Sequence, residues 1–236
     1  MKLIRWFLPL FVLLLLNQSF AQAKRIEILG EFSEGWQGSW LERHYGGKAT
    51  SYEVITEDTM KVLKARSVEG ASAMWHMLAL KPGRFARLSW TWKIEDVLDK
   101  KIQERTKKGD DYGARLFVIF EPHLVNWRTN AICYVWATNE PVGSMYPNPY
   151  ANSVMTIVVQ SGKENRRKWM TQERDILSDH QDAFGEPPEM ITGVAIMVDT
   201  DNSMESATAW YKDIVLELGT TEEPKERRRP GIMIEY

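Results

Sequence analysis

Asp110 and Asp111 stand side by side, and Arg115 follows a few residues later. Two neighbouring carboxyls can split their pKa values, so that one donates a proton while the other accepts it. Consecutive residues of an extended chain point apart, however. The simpler expectation is that one acid caps a turn and the other pairs with Arg115 or Arg128. A second oxygen-rich run, Asp199-Thr200-Asp201-Asn202, offers side-chain ligands to a hard cation such as calcium, which takes about six to eight oxygens. Asp213, Glu31 or a backbone carbonyl would have to complete that set, and the alternative is a hydrogen-bonded turn.

The third group is aromatic. Tyr134 and Trp136 closely follow Arg128 and Asn130, Tyr211 lies in a later strand, and flat rings stack on apolar sugar faces while Arg and Asn supply orienting hydrogen bonds. With Asp110, Asp111 and Arg115 they form the candidate ligand-binding set. The candidate metal set is Asp199, Asp201, Asn202 and Asp213, and no residue is assigned a catalytic role. His44, His76, His123 and His180 lack metal-ligand spacing. The chain has no Gly-x-Ser-x-Gly elbow, phosphate-cradling glycine loop or cysteine pair. The lone Cys133 alternates with Ala131, Val135 and Ala137, which suits buried filler.

These residues need strands to hold them. Ala86 to Ile94 alternates apolar and polar residues, so it is a strand with one buried and one wet face. Gly113 to Glu121 is apolar on both faces, as in the middle of a packed sheet. Over Asn130 to Ala137 the small set, Ala131, Cys133, Val135 and Ala137, suits a tight interior. That leaves Asn130, Ile132, Tyr134 and Trp136 as an open binding face. Glu95 to Lys108 breaks the pattern as a charged, partly helical excursion, and Ser178-Asp179-His180-Gln181 has the form of a capping box that starts a short helix. Trp90, Trp92 and Trp210 fall on regular faces and read as packing. The whole predicts an all-β jelly-roll β-sandwich of about ten antiparallel strands with one or two short helices.

A chain of 236 residues with 44% hydrophobic and 26% charged content fits one globular domain. Lys2 and Arg5, the apolar run Trp6 to Leu16 and the small-x-small site Ala21-Gln22-Ala23 read as a secretory signal peptide over residues 1–23. The run is shorter than the roughly 20 residues that span a bilayer, so no membrane span is expected after its removal. The sandwich then covers residues 24–218 and a charged tail residues 219–236. Removing the signal leaves 28 basic against 32 acidic residues, which argues against nucleic acid as a partner. The location expected is periplasmic or secreted.

Five motifs in one order resemble the exported bacterial family known as domain of unknown function 3047. They are KGDDYGAR from Lys108, NWRTNAICYVWA from Asn126, PVGSMYPNP from Pro141, DTDN from Asp199 and AWYKDI from Ala209. The resemblance spans roughly Leu29 to Leu218 and implies no activity. A looser likeness, to galactose-binding-like and carbohydrate-binding jelly rolls, rests on the closing Trp210, Asp213 and Ile214, and in such domains that acid sometimes helps hold structural calcium. The leading expectation is an exported non-catalytic binding or accessory module for a saccharide or cell-envelope glycan. One alternative is a polysaccharide hydrolase using two acids among Asp110, Asp111, Glu121 and Asp199, and another is an assembly partner docking through Gly231 to Tyr236.

Overall fold

The computed structural model describes residues 24–33, 35–99, 101, 103–122 and 129–219, with the side chains of 121 and 122 left aside. The signal segment, the tail beyond residue 219, Arg128, His123 and the Glu121 side chain lie outside what is described. In chain order the strands are β1 (Lys24–Ile28), β2 (Trp40–Gly47), β3 (Ser51–Glu57), β4 (Met60–Val68), β5 (Gly70–Leu80), β6 (Ala86–Ile94) and β7 (Arg115–Pro122). They continue as β8 (Thr129–Ala137), β9 (Met145–Pro147), β10 (Val154–Ser161), β11 (Met170–Asp175), β12 (Ile191–Asp199) and β13 (Ser206–Gly219), with helix α1 (Ile176–Phe184) between β11 and β12.

The chain is an all-β jelly-roll sandwich. One sheet runs β11-β6-β13-β4-β3, with β1 added on β13; the other runs β2-β5-β12-β7-β8-β10-β9. Pairing is antiparallel except between β8 and β10, which are parallel. The segment between them carries β9, which pairs antiparallel with β10 and so lets the chain return in the direction of β8.

The two sheets enclose one large apolar cluster. Trp90 and Trp92 of β6 face Tyr134 and Trp136 of β8 across the gap, with ring centroids 5.1 Å apart for Trp90–Tyr134 and 6.1 Å for Trp92–Trp136. Tyr211 of β13 crosses the same gap. Its hydroxyl accepts from the Arg115 N–H at 3.1 Å and donates to the Met197 carbonyl at 3.0 Å, which ties one sheet to the backbone of the other. Packed sheets stand about 10 Å apart, a space that large rings fill. The aromatic set of β8 therefore points inward, opposite to the sequence expectation. The small set, Ala131, Cys133 and Val135, points to the outer face of the seven-stranded sheet.

Part of that outer face is covered by the excursion between β6 and β7. No α-helix forms there among the described residues; only a short 3-10 turn, Lys107–Gly109, precedes Asp110. The excursion is latched by Glu104, which is buried and accepts the backbone N–H groups of Thr138, Asn139 and Glu140 at 2.8, 2.9 and 2.8 Å. Tyr112 and Tyr146 then pack over Cys133, Val135 and Val158, with their hydroxyls 2.8 Å apart. Gly109 is required by close approach, since a Cβ there would lie 2.2 Å from the Gln103 carbonyl oxygen.

Helix α1 starts earlier than the Ser178 pattern implies. Asp175 is its N-cap and accepts from the N–H groups of Leu177 and Ser178 at 3.0 and 3.2 Å. Asp179 lies inside the helix, bound to Arg174 and to the Tyr134 hydroxyl at 2.7 Å. Gly185, at φ 84°, closes the helix.

Candidate functional site

The uncovered part of the outer face is a cavity of about 520 Å³. Its floor is laid by Ala71 and Ala73 of β5, Met197 of β12, Phe117 and Ile119 of β7 and Ala131 of β8. Register explains the hollow. Ala71 and Ala73 pair with Asp199 and Met197, and Ala131 pairs with Ile119, so small residues lie beside medium ones across adjacent strands. Rings border the floor. Tyr45 and Trp75 line the β2–β5 side and Tyr150 the side toward β10; both tyrosines are more than half exposed and Trp75 is half-buried. The Arg43 guanidinium sits 4.3 Å from the centre of the Trp75 ring. A second, more open hollow of about 600 Å³ lies beyond, lined by Pro149, Asn152 and Ser153 and sharing Thr129, Tyr150 and Ala151 with the first.

One end of the cavity is polar and tightly wired. Arg115, the first residue of β7, is 3% exposed. It donates through Nε to Asp199 Oδ1 at 2.8 Å and through Nη2 to Asp199 Oδ2, while Nη1 lies 3.5 Å from Asp110 Oδ1 and Nη2 also meets the Asp110 carbonyl. Such a bidentate pair uses the planar fork of the guanidinium fully. The ring of Tyr112 covers the guanidinium at 4.6 Å. Asp110 further accepts from Asn148 Nδ2 at 2.8 Å. Asp111, fully buried, holds the β12–β13 turn by accepting from Asn202 N–H at 3.1 Å, Asn202 Nδ2 at 3.0 Å and the Ser203 N–H. The Tyr150 hydroxyl lies 2.7 Å from Asn202 Oδ1, joining the β9–β10 loop to that turn.

The structure thus gathers Asp110, Arg115, Asp199, Asp201 and Asn202 at one place, with Asp111 directly behind. Tyr134, Trp136 and Tyr211 are elsewhere: all are at most 1% exposed and form the inter-sheet core, so none can stack on a ligand. Asn130 is half-exposed at the start of β8 and does not line the cavity. Asp213 departs too. It sits at a bulge of β13 with φ 52°, its side chain exposed and 3.6 Å from Lys212, away from the other three proposed metal ligands. Sequence reasoning missed Tyr45, Trp75, Asn148 and Tyr150. The alternation Ala71, Ala73, Trp75 and the rigid Pro147-Asn148-Pro149-Tyr150 turn were the signals that pointed to them.

Asp111, Asp199 and Asp201 have carboxylate oxygens within 4.8 Å of one another. Asp199 already gives both oxygens to Arg115, and Asp111 gives both to Asn202 and Ser203, so a cation would compete with these donors for lone pairs. The same commitments hold Asp110, Asp111 and Asp199 in a buried network, not as two carboxyls open to a glycosidic bond.

Burial pushes the Asp199 carboxyl up to about 7, with Asp111 and Asp110 adding to the rise and Arg115 opposing it. Asp201 is raised as well, by burial and then by Asp111. A carboxyl raised in the folded state contributes stability that is present below the unfolded value and lost as pH rises through the folded value. Burial lowers His76 and His180, and their opposing contribution is nearly complete above the ordinary imidazole value of about 6.5. The urea midpoint of wild type, taken relative to that of Asp199→Asn so that the histidines cancel, is therefore expected to fall between about pH 4 and 7. A relative midpoint that climbs across that interval would contradict the assignment.

Among the described residues no helix is long and apolar enough to cross a membrane. No curated protein matches the chain by sequence. Among solved structures, a family 11 carbohydrate-binding module of a cellulosomal cellulase from Clostridium thermocellum is 14% identical, with a TM-score of 0.43, covering 85% of this chain and 98% of its own. A family 29 carbohydrate-binding module from Piromyces equi is 9% identical, with a TM-score of 0.38, covering 84% and 93%. At such identities and scores they say nothing about what this cavity holds. The family model described as Protein of unknown function (DUF3047) matches residues 34–215, which takes in every residue lining the cavity and every strand but β1 and the end of β13, and the chain belongs to that family.

Proposed function

We propose that the cavity binds a carbohydrate chain and that the protein is an exported, non-catalytic glycan-binding module. The observation that carries this reading is the pairing of three accessible rings, Tyr45, Trp75 and Tyr150, with an apolar floor that ends in fixed polar groups. A sugar ring has that same division, with flat C–H faces and a rim of hydroxyls. The volume lies within the range of small-molecule clefts, roughly 300–1,000 Å³. The second hollow, sharing Tyr150 and Ala151 with the first, favours an extended chain over a single residue. Residues 1–23, read as a signal peptide, support export.

Affinity electrophoresis through gels containing neutral polysaccharides tests the reading. Tyr45→Ala and Tyr150→Ala are each expected to weaken retention about tenfold. The unfolding free energy of Tyr45→Ala should stay within about 0.5 kcal/mol of wild type, because its side chain is more than half exposed, while Tyr150→Ala also gives up the hydroxyl contact with Asn202 and should lose about 1 kcal/mol. Equal retention of wild type and both variants, or no retention by any glycan, removes the proposal.

A further inference from the structure

Resting on the glycan-binding reading, we propose a finer property of the same cavity: it selects glycan chains that carry no acidic substituent and discriminates against uronate-, phosphate- or sulfate-bearing ones. Among the described residues the lining holds three carboxyls, Asp110, Asp199 and Asp201, against a single cation, Arg115. A fourth carboxyl, Asp111, stands within 4.8 Å of two of them. The field at the polar end is negative.

The cation cannot serve an incoming anion. Arg115 is 3% exposed, forked onto Asp199, in contact with Asp110 and covered by Tyr112. To meet a ligand carboxylate it would have to leave a buried acid unpaired, which is strongly unfavourable. The neighbouring amide donors are engaged as well. Asn148 Nδ2 gives to Asp110 at 2.8 Å, and Asn202 Nδ2 gives to Asp111 at 3.0 Å and approaches Asp201 at 3.4 Å. Arg43 and Lys107 stack on Trp75 and Tyr150, at 4.3 and 5.3 Å from the ring centres, and neither lines the cavity.

The polar end therefore presents acceptors while its donors are committed inward. A sugar hydroxyl can donate to the half-buried Asp201 carboxylate. An ionised acid on the ligand has no proton to give and meets like charge in a partly desolvated site.

The test pairs neutral oligosaccharides of β-glucan, mannan and amylose with the same chains after oxidation of their C6 alcohols to uronates. Binding is measured by calorimetry at pH 8 in dilute buffer, then in 0.5 M salt. The neutral member of whichever pair binds is expected to be at least about tenfold tighter. High salt and the Asp201→Asn variant should each narrow that ratio. A uronate chain that binds as tightly as its parent in dilute buffer overturns the charge selection and leaves glycan binding standing. Failure of every chain, oxidised or not, overturns both.

Discussion

Replacing Arg115 with alanine is expected to lower the unfolding free energy by about 3–5 kcal/mol, because it strands buried carboxylates. Asp199 and Asp110 are 3% and 5% exposed, and the guanidinium supplies both oxygens of the first and part of the second with their charged donor. The variant leaves Asp199 with the Tyr112 N–H, 3.2 Å away, to replace that charge. A double variant, Arg115→Met with Asp199→Leu, removes donor and acceptor together and should be less destabilised than Arg115→Met alone. Urea denaturation at pH 8.5, above the Asp199 value of about 7, measures all three. An alanine variant within about 1 kcal/mol of wild type would falsify the view that this pair is a structural strut of the cavity.

Trp136→Ala is the second large effect, expected to cost about 3–5 kcal/mol. The indole is 1% exposed, faces Trp92 across the sandwich and donates from Nε1 to the Gly162 carbonyl at 3.2 Å. Truncation leaves an inter-sheet void that the stiff packing of two β-layers cannot collapse to fill. At a temperature where both proteins remain folded, Trp136→Ala should retain the affinity of wild type for a bound glycan. Weakened binding with unchanged urea midpoint would return Trp136 to the binding surface. From the alternation of β8 alone the opposite outcome is expected, so this single variant separates the two orientations of the strand.

That reversal shows where the sequence stops. Alternation across Asn130 to Ala137 correctly divides the strand into an aromatic and a small set, but both are apolar enough for burial. Only the opposing layer, with Trp90 and Trp92 waiting across the gap, decides which set turns inward. In β6, where one set is polar, no such ambiguity arises and the face follows from the residues directly.

What the sequence determined by itself is the local chemistry. The strand periods, the Asp110-Asp111 turn beside Arg115, the family motifs and the oxygen-rich Asp199 to Asn202 turn are all properties of near neighbours, since side-chain alternation and turn preference act over a few residues. Tertiary structure decided the rest. Tyr45, Trp75, Tyr150 and Ala131 come from three strands and a loop that meet only through sheet order and register. Asp213 and Tyr211, two residues apart, end on a solvent-facing bulge and in the core. A cavity is the space left between distant segments, and register and layer packing, which set that space, are long-range quantities that no local pattern encodes.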